Sequence, residues 1–394
     1  MALEKFNKTK KCYGCVSCKN NCPMEAITFK VDDKGNSYPE VDKNKCIECK
    51  ICDKFCIIND ANNVCNKNQQ YYAFVNKNQQ EIVRSSSGGA FLAILNYFFE
   101  IKESIVVYGV ELKYNPKVYA EHTRVTTYEE AKRFCGSKYV HSDMSVIYNN
   151  ILEDIQQEKF VIISGLPCQI SAVKKFLRGK RVSEDNIFFI DLICHGTGGQ
   201  QFFDDFISYL EKKYKSKIIE YKFRDKNQSW KGYPSYVKFE NGKELKNTLI
   251  LRNFPIIYLK GYLMKETCFN CQYSKVEREG DITLGDFWGI EKVKSTIDYN
   301  KGVSLIIANS LESKKVLNFL NNKGELYEIP IEISLKYQNN LVKGHEKPID
   351  YQSFWKCYEN SGIEKIFQEY GSNNIKYKIR YYLKKMAILL NIYK

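Results

Sequence analysis

Cysteine spacing constrains this chain more than any other feature. Eight of its 15 cysteines write one motif twice: Cys12-x2-Cys15-x2-Cys18-x3-Cys22-Pro23, then Cys46-x2-Cys49-x2-Cys52-x3-Cys56, the second followed by Ile57 in place of proline. Two-residue spacers let three thiolates converge from one tight loop on three irons of a 4Fe–4S cube. In two-cluster bacterial ferredoxins the fourth cysteine of each run reaches across to the other cube. On that rule Cys12, Cys15, Cys18 and Cys56 hold one cluster, and Cys46, Cys49, Cys52 and Cys22 the other. CxxC pairs also suit zinc, which wants four thiolates in a tetrahedron; this run supplies them in an order better suited to a cube. Between the copies, 26–30 and 38–41 read as a short hairpin around Lys34-Gly35-Asn36. Residues 1–66 are therefore expected to form a ferredoxin-like module, with Cys65 as a spare.

The rest is ordinary globular sequence. With 394 residues, 44% hydrophobic and 27% charged, the chain has room for two or three domains and is neither disordered nor collagen-like. Met1-Ala2-Leu3-Glu4-Lys5 leads into no apolar run, and the oily stretch 90–99 is broken by Asn96 and too short to span a bilayer. A cytoplasmic protein is expected, in which cysteines hold metal or do chemistry instead of forming disulfides. Strands at 71–75, 104–111, 118–125, 160–164, 187–192 and 303–309 alternate with helices at 90–100, 168–178, 200–215 and 311–321, with hairpin material near 236–245. That rhythm implies an α/β body with mixed α+β elements, its two parts 67–150 and 151–330, followed by a helical extension over 331–394.

Four further cysteines stand in turns: Cys168 after Gly165-Leu166-Pro167, Cys194 in Asp191-Leu192-Ile193-Cys194-His195-Gly196, and Cys268-x2-Cys271. Turns at strand ends are where an α/β fold gathers its site residues. Together these thiols complete a third cube or a zinc site; singly, each reads as a buried apolar residue. Ser85-Ser86-Ser87-Gly88-Gly89, ahead of a helix, offers backbone N–H groups that suit a phosphate, although on local sequence a plain helix N-cap is the simpler account. It is no P-loop, since no Gly-Lys-Ser/Thr closes it. In Gly136-Ser137-Lys138-Tyr139 the lysine is either a solvated surface group or a stabiliser of negative charge.

These blocks, with Cys268-Phe269-Asn270-Cys271 through Asp281-Ile282-Thr283-Leu284-Gly285-Asp286-Phe287-Trp288-Gly289, occur in one order over residues 1 to about 310. The chain resembles the coenzyme F420 hydrogenase/dehydrogenase beta-subunit family of iron–sulfur flavoproteins. The resemblance implies FAD on the α/β body with a third 4Fe–4S cluster beside it on Cys168, Cys194, Cys268 and Cys271. It implies flavin contacts from Ser86, Ser87, Gly88, Gly89 and Ser137, and Lys138 and His195 as candidate catalytic groups, His195 competing with a satisfied core histidine. Where the family usually has proline and serine after Cys-His-Gly, this chain has Thr197-Gly198-Gly199, and Cys135 replaces the usual residue before Gly136.

Cubes move one electron and hydride acceptors need two, so a flavin belongs at the junction. The expected path joins a redox protein such as a ferredoxin to the two cubes, the third cube, FAD and a small organic molecule, F420 being one candidate. A relay subunit without its own substrate and a zinc-bearing assembly protein are the rival readings. The net charge of +14, of which +12 lies beyond residue 66, is compatible with an anionic substrate; no nucleic-acid partner is expected. The tail 375–394 carries six Lys or Arg, no acid, and Ile379, Leu383, Met386, Leu389 and Leu390 near helical spacing, which reads as a helix docked on the body or as a weak membrane-surface contact.

Overall fold

Unbroken apolar runs mark the strands that will be covered on both faces, and alternating ones mark the edges. In chain order the strands are β1 (Ile27–Val31), β2 (Ser37–Val41), β3 (Gln70–Asn76), β4 (Ile105–Lys113), β5 (Tyr119–Val125), β6 (Phe160–Gly165), β7 (Ile187–Leu192), β8 (Ile218–Lys222), β9 (Tyr236–Phe239), β10 (Glu244–Lys246), β11 (Ile282–Asp286), β12 (Ser304–Ala308) and β13 (Gly324–Glu328). The longer helices are α1 (Ala90–Ile101), α2 (Ile147–Gln156), α3 (Pro167–Gly179), α4 (Gln201–Tyr214), α5 (Leu249–Leu259), α6 (Leu311–Lys323) and α7 (Tyr351–Glu369), the last kinked at Gly362. This computed structural model describes residues 11–59 and 68–375 except 228 and 295, with 377–379, 381 and 383. Cys65 and the tail's Met386, Leu389 and Leu390 lie outside the described residues, so its expected membrane contact does too.

One eight-stranded sheet runs β13-β3-β12-β11-β7-β6-β4-β5. Its centre β11-β7-β6-β4 is parallel, whereas β12, β3, β13 and β5 pair antiparallel to their neighbours. The fold is α/β, as expected, and the sheet takes strands from both sides of residue 150. One difference concerns 303–321: the strand–helix rhythm there continues the series in sequence, yet β12 runs against β11.

Side-chain alternation divides the core. Ile105, Val107, Ile162, Phe188 and Ile190 pack with α1 and α6, while Val106, Tyr108, Val161, Ile163, Ile187 and Phe189 pack with α2 and α3, as the two-residue strand period requires. A separate aromatic core joins the small sheet β10-β9-β8 to α4, α5 and α7. The amino-terminal cysteine module sits on the α2–α3 face: Tyr13, Val16 and Ile57 enter that core. Tyr148 donates to the Cys15 carbonyl at 2.6 Å, and Lys175 to the Cys56 carbonyl at 2.8 Å. Among the described residues no helix is long and apolar enough to cross a membrane.

Burial also makes the fold acid-sensitive. His122, unexposed and 3.2 Å from the Ser164 carbonyl, is pushed down to about 4 by burial, and burial likewise lowers His141 to about 3. The unfolded chain takes up these protons near 6.5 and the folded chain only well below that, so stability is lost as pH falls from about 6.5 toward 4. Urea midpoints should fall across that window, and less steeply in His122→Gln.

Candidate functional site

Each cysteine run is bent by left-handed residues at matching offsets. Gly14 (φ 75) and Val16 (φ 53) in the first run correspond to Glu48 (φ 53) and Lys50 (φ 59) in the second. A non-glycine residue in that region costs about 1–2 kcal/mol, a strain repaid by turning three thiols toward one centre. The structure brings Cys12, Cys15, Cys18 and Cys56 around one small cavity. Cys22, Cys46, Cys49 and Cys52 surround a second. This is the crossed grouping expected from spacing. Cys18, Cys22 and Cys52 pack together between the two.

Cys168, Cys194, Cys268 and Cys271 surround a third cavity. Cys168 lies in the first turn of α3, Cys194 just past β7, and the other two around a short helix, Glu266–Phe269. Arg278 joins these pieces. Its guanidinium lies 3.3 Å from the Asp191 carboxylate, both side chains almost fully buried. It donates to the Tyr273 carbonyl at 3.2 Å, two residues past Cys271, and to the Leu192 carbonyl at 3.0 Å, two before Cys194. Among the described residues no three His, Cys, Asp or Glu close on one metal-ion position; the thiols surround each void instead. Burial pushes Cys15 and Cys194 up to about 12, with neighbouring thiols adding to the shift. Bare thiolates here would repel one another, and a positively charged centre removes that penalty.

Beyond the third cavity, at the carboxyl ends of β6, β7 and β11, opens a cleft of about 630 Å³. Cys194, His195, Gly196 and Thr197 line both, just as Tyr13 lines both the first and the third cysteine cavities. The cleft is walled by aromatics. Tyr139 stacks on Tyr258 at 4.6 Å, and the Tyr258 hydroxyl donates to the Gly196 carbonyl at 2.8 Å. Trp288 stacks on Trp230 at 5.0 Å, whose indole N–H donates to Asp286 at 2.8 Å. Asp286 also pairs with Arg224 at 2.5 Å. His195 sits 3.2 Å from the Leu259 carbonyl and edge-on to His345; burial holds it neutral, at about 4. Lys138 is half-buried and donates to the Phe134 and Cys135 carbonyls, each at 2.9 Å; desolvation lowers it to about 8.

Ser86, Ser87, Gly88 and Gly89 are placed behind this wall. The Ser86 hydroxyl accepts from the Ser137 N–H at 2.7 Å, and Ser87 donates to the Val303 carbonyl at 2.6 Å. A Cβ on Gly88 would meet the Phe74 carbonyl at 2.1 Å and the Ser304 nitrogen at 2.6 Å, so this glycine lets its loop lie directly against the paired strands β3 and β12. Only Ser137 and Lys138 of the expected flavin contacts line the cleft. Cys135 lines a neighbouring cavity, and Cys357 faces Glu369. Sequence reasoning missed Arg224, Trp230, Tyr258 and the segment 337–346, which closes one side of the cleft through Gln338, Asn340 and His345. A charge-dense Lys222-Phe223-Arg224-Asp225-Lys226 run ahead of Trp230 was the available signal for two of them.

The Gly198-Gly199 pair has a structural reason. A Cβ on Gly199 would stand 2.2 Å from the Lys34 carbonyl and 2.3 Å from the Gly35 carbonyl carbon, in the turn of the amino-terminal hairpin. Backbone meets backbone there, so Gly199→Ala should cost about 1–3 kcal/mol and loosen the module. Limited proteolysis should then cut within residues 11–59 sooner than in the parent.

Residues 158–333 match the family model for the carboxyl-terminal part of the coenzyme F420 hydrogenase/dehydrogenase beta subunit. The chain is 24% identical over 296 residues to F420-dependent formate dehydrogenase 1 subunit beta of Methanococcus maripaludis, covering 73% of this chain and 69% of that one. Among solved structures it is similar to a chain of the F420-reducing NiFe hydrogenase complex from Methanosarcina barkeri, with 15% identity, a TM-score of 0.44, and coverage of 75% of this chain and 89% of the other.

Proposed function

Because the chain belongs to the coenzyme F420 hydrogenase/dehydrogenase beta-subunit family, a family of redox electron transfer, we propose that it is an iron–sulfur flavoprotein oxidoreductase serving a small organic substrate. One observation carries this reading: three cavities, each ringed by four cysteines, adjoin one another and lead to an aromatic cleft. Four thiols set around a void fit a 4Fe–4S cube.

The residues of the cleft fit an FAD ring. When bound, a flavin takes electrons singly and passes them on as a pair, chemistry no side chain supplies. The flat faces of Tyr139, Tyr258 and Trp288 would pack against the ring, and Lys138, held by two carbonyls, would place positive charge beside it. His195, neutral and fixed against the Leu259 carbonyl, would orient the Cys194 loop. Gln169 accepts from the Leu166 N–H at 2.9 Å and donates to Ser142 at 3.0 Å, which holds the turn carrying Cys168 rigid. Cys49 is the exposed cysteine of the second cavity, so a partner redox protein would meet the chain there. F420, named in the matching relative, is the first substrate to try.

The test is to purify the full chain without oxygen and count metal, acid-labile sulfide and flavin. About 12 irons and one FAD per chain are expected from three cubes. Zinc in place of iron, or iron without flavin, would overturn the proposal.

A further inference from the structure

Among the described residues Lys265 is the most deeply buried lysine, at 2% exposure. Its backbone belongs to the third cysteine set. The Lys265 N–H donates to the Thr197 carbonyl at 2.9 Å, and its own carbonyl accepts from the Cys268 N–H at 2.9 Å. Its side chain leaves that set and crosses to the amino-terminal module. Nζ stands 4.9 Å from the centre of the Tyr38 ring and 3.4 Å from the Ser37 carbonyl. A Cβ on Gly14 would meet Nζ at 2.9 Å, so the ammonium is seated on the turn between Cys12 and Cys15. The charge therefore lies between two cysteine cavities that already share Tyr13.

No ordinary counter-ion faces it. Among the described residues no carboxylate pairs with Lys265; Glu266, next to it in sequence, is taken by Lys347 at 2.8 Å. His141, the other side chain against Gly14, is held neutral by its own burial. One long carbonyl contact and one ring face do not repay the desolvation of an ammonium. The thiols on either side can. Burial pushes Cys15 up to about 12 and Cys268 up to about 11, and Lys265 draws both back. The lysines around the second cavity differ: Lys43, Lys45 and Lys50 are exposed, where water and salt screen them.

We infer that Lys265 is a positioning charge that raises the reduction potentials of two clusters, the one on Cys12, Cys15, Cys18 and Cys56 and the one on Cys168, Cys194, Cys268 and Cys271, and leaves the one on Cys22, Cys46, Cys49 and Cys52 unaffected. This rests on the iron–sulfur reading above. A 4Fe–4S cube on four thiolates is an anion, and reduction makes it more negative, so a fixed buried cation beside it favours the reduced form. Lys265 acts by charge alone and touches no substrate. Its effect is to draw an electron that arrives at the exposed Cys49 side inward, toward the cleft.

A redox titration followed by electron paramagnetic resonance tests this on the full chain purified without oxygen, as parent and as Lys265→Met, with iron counted in each. At a fixed potential the reduced-to-oxidised ratio of two of the three clusters is expected to fall about tenfold, the order expected of a unit charge about 10 Å away at an effective dielectric constant near 20. For a one-electron couple that is a midpoint about 60 mV lower. The remaining cluster should keep its midpoint. In a Cys168→Ser background, one of the two clusters left should shift. Lys265→Arg, which keeps the charge, should return both midpoints toward the parent values, which a side chain that only filled space would not do. Full iron with unmoved midpoints, or three clusters shifted alike, overturns the inference and leaves the redox reading standing. Should the methionine variant lose iron, Lys265→Gln is titrated in its place, with the same outcomes deciding. Parent protein without iron overturns the redox reading, and this inference with it.

Discussion

Serine in place of Cys168 or Cys271 is expected to lower the iron of anaerobically purified protein from about 12 to about 8 per chain, the loss of one four-iron cube. The two amino-terminal cavities draw their eight thiols from residues 12–56 alone, so their iron should remain. Cys168 is the more telling position because it lies buried in the first turn of α3, with Cys194, Cys268 and Cys271 crowding it. Serine is nearly isosteric, so folding should survive and the change should report on ligation. Iron unchanged in both variants would reject these ligands while leaving the amino-terminal assignment intact.

Arg278→Met should have the largest effect on stability. Arg278 and Asp191 have side-chain exposures of 1% and 0%, and removing one partner of such a pair leaves an uncompensated buried charge, at a cost of about 3–5 kcal/mol. The same change releases the Tyr273 and Leu192 carbonyls, and with them the relative placement of Cys271 and Cys194. Urea midpoints under reducing conditions should fall, and iron should drop toward the value of the cysteine variants. An Arg278→Met, Asp191→Leu double variant should recover much of the stability, because an apolar pair no longer buries a lone carboxylate. Recovery of stability without recovery of iron would separate the two roles of Arg278.

What could be read in advance follows the range of the interactions. The two cysteine runs are local, so spacing alone grouped Cys56 with the first and Cys22 with the second. The third set is spread from Cys168 to Cys271, and only the shared setting of turns at strand ends linked its members. Ser85-Ser86-Ser87-Gly88-Gly89 looked like a ligand loop because small residues with free N–H groups suit both a ligand and a tight backbone crossing. At Gly88 the structure shows the loop lying close against β3 and β12. The aromatic wall was not legible, since Tyr139, Tyr258 and Trp288 meet only after α5 and the end of β11 are in place. Nor did anything local reveal that 337–346 would close the cleft. The strand and helix at 303–321 were legible, but not that β12 runs antiparallel to β11: apolar periodicity identifies a buried strand but not which way it runs.

The place of β3 has a consequence for how the polypeptide is made. This strand follows directly on the cysteine module, yet its neighbours are β12, through pairs such as Phe74 with Ser304, and β13, through Asn76 with Gly324. A nascent chain therefore exposes an orphaned apolar ribbon until residues 304–328 have left the ribosome. During that interval the cubes proposed for the amino-terminal cysteines would have all eight thiols available, but the surface the module docks against is unfinished. Chaperone demand should be concentrated in that window of synthesis, as should oxygen damage to the proposed clusters.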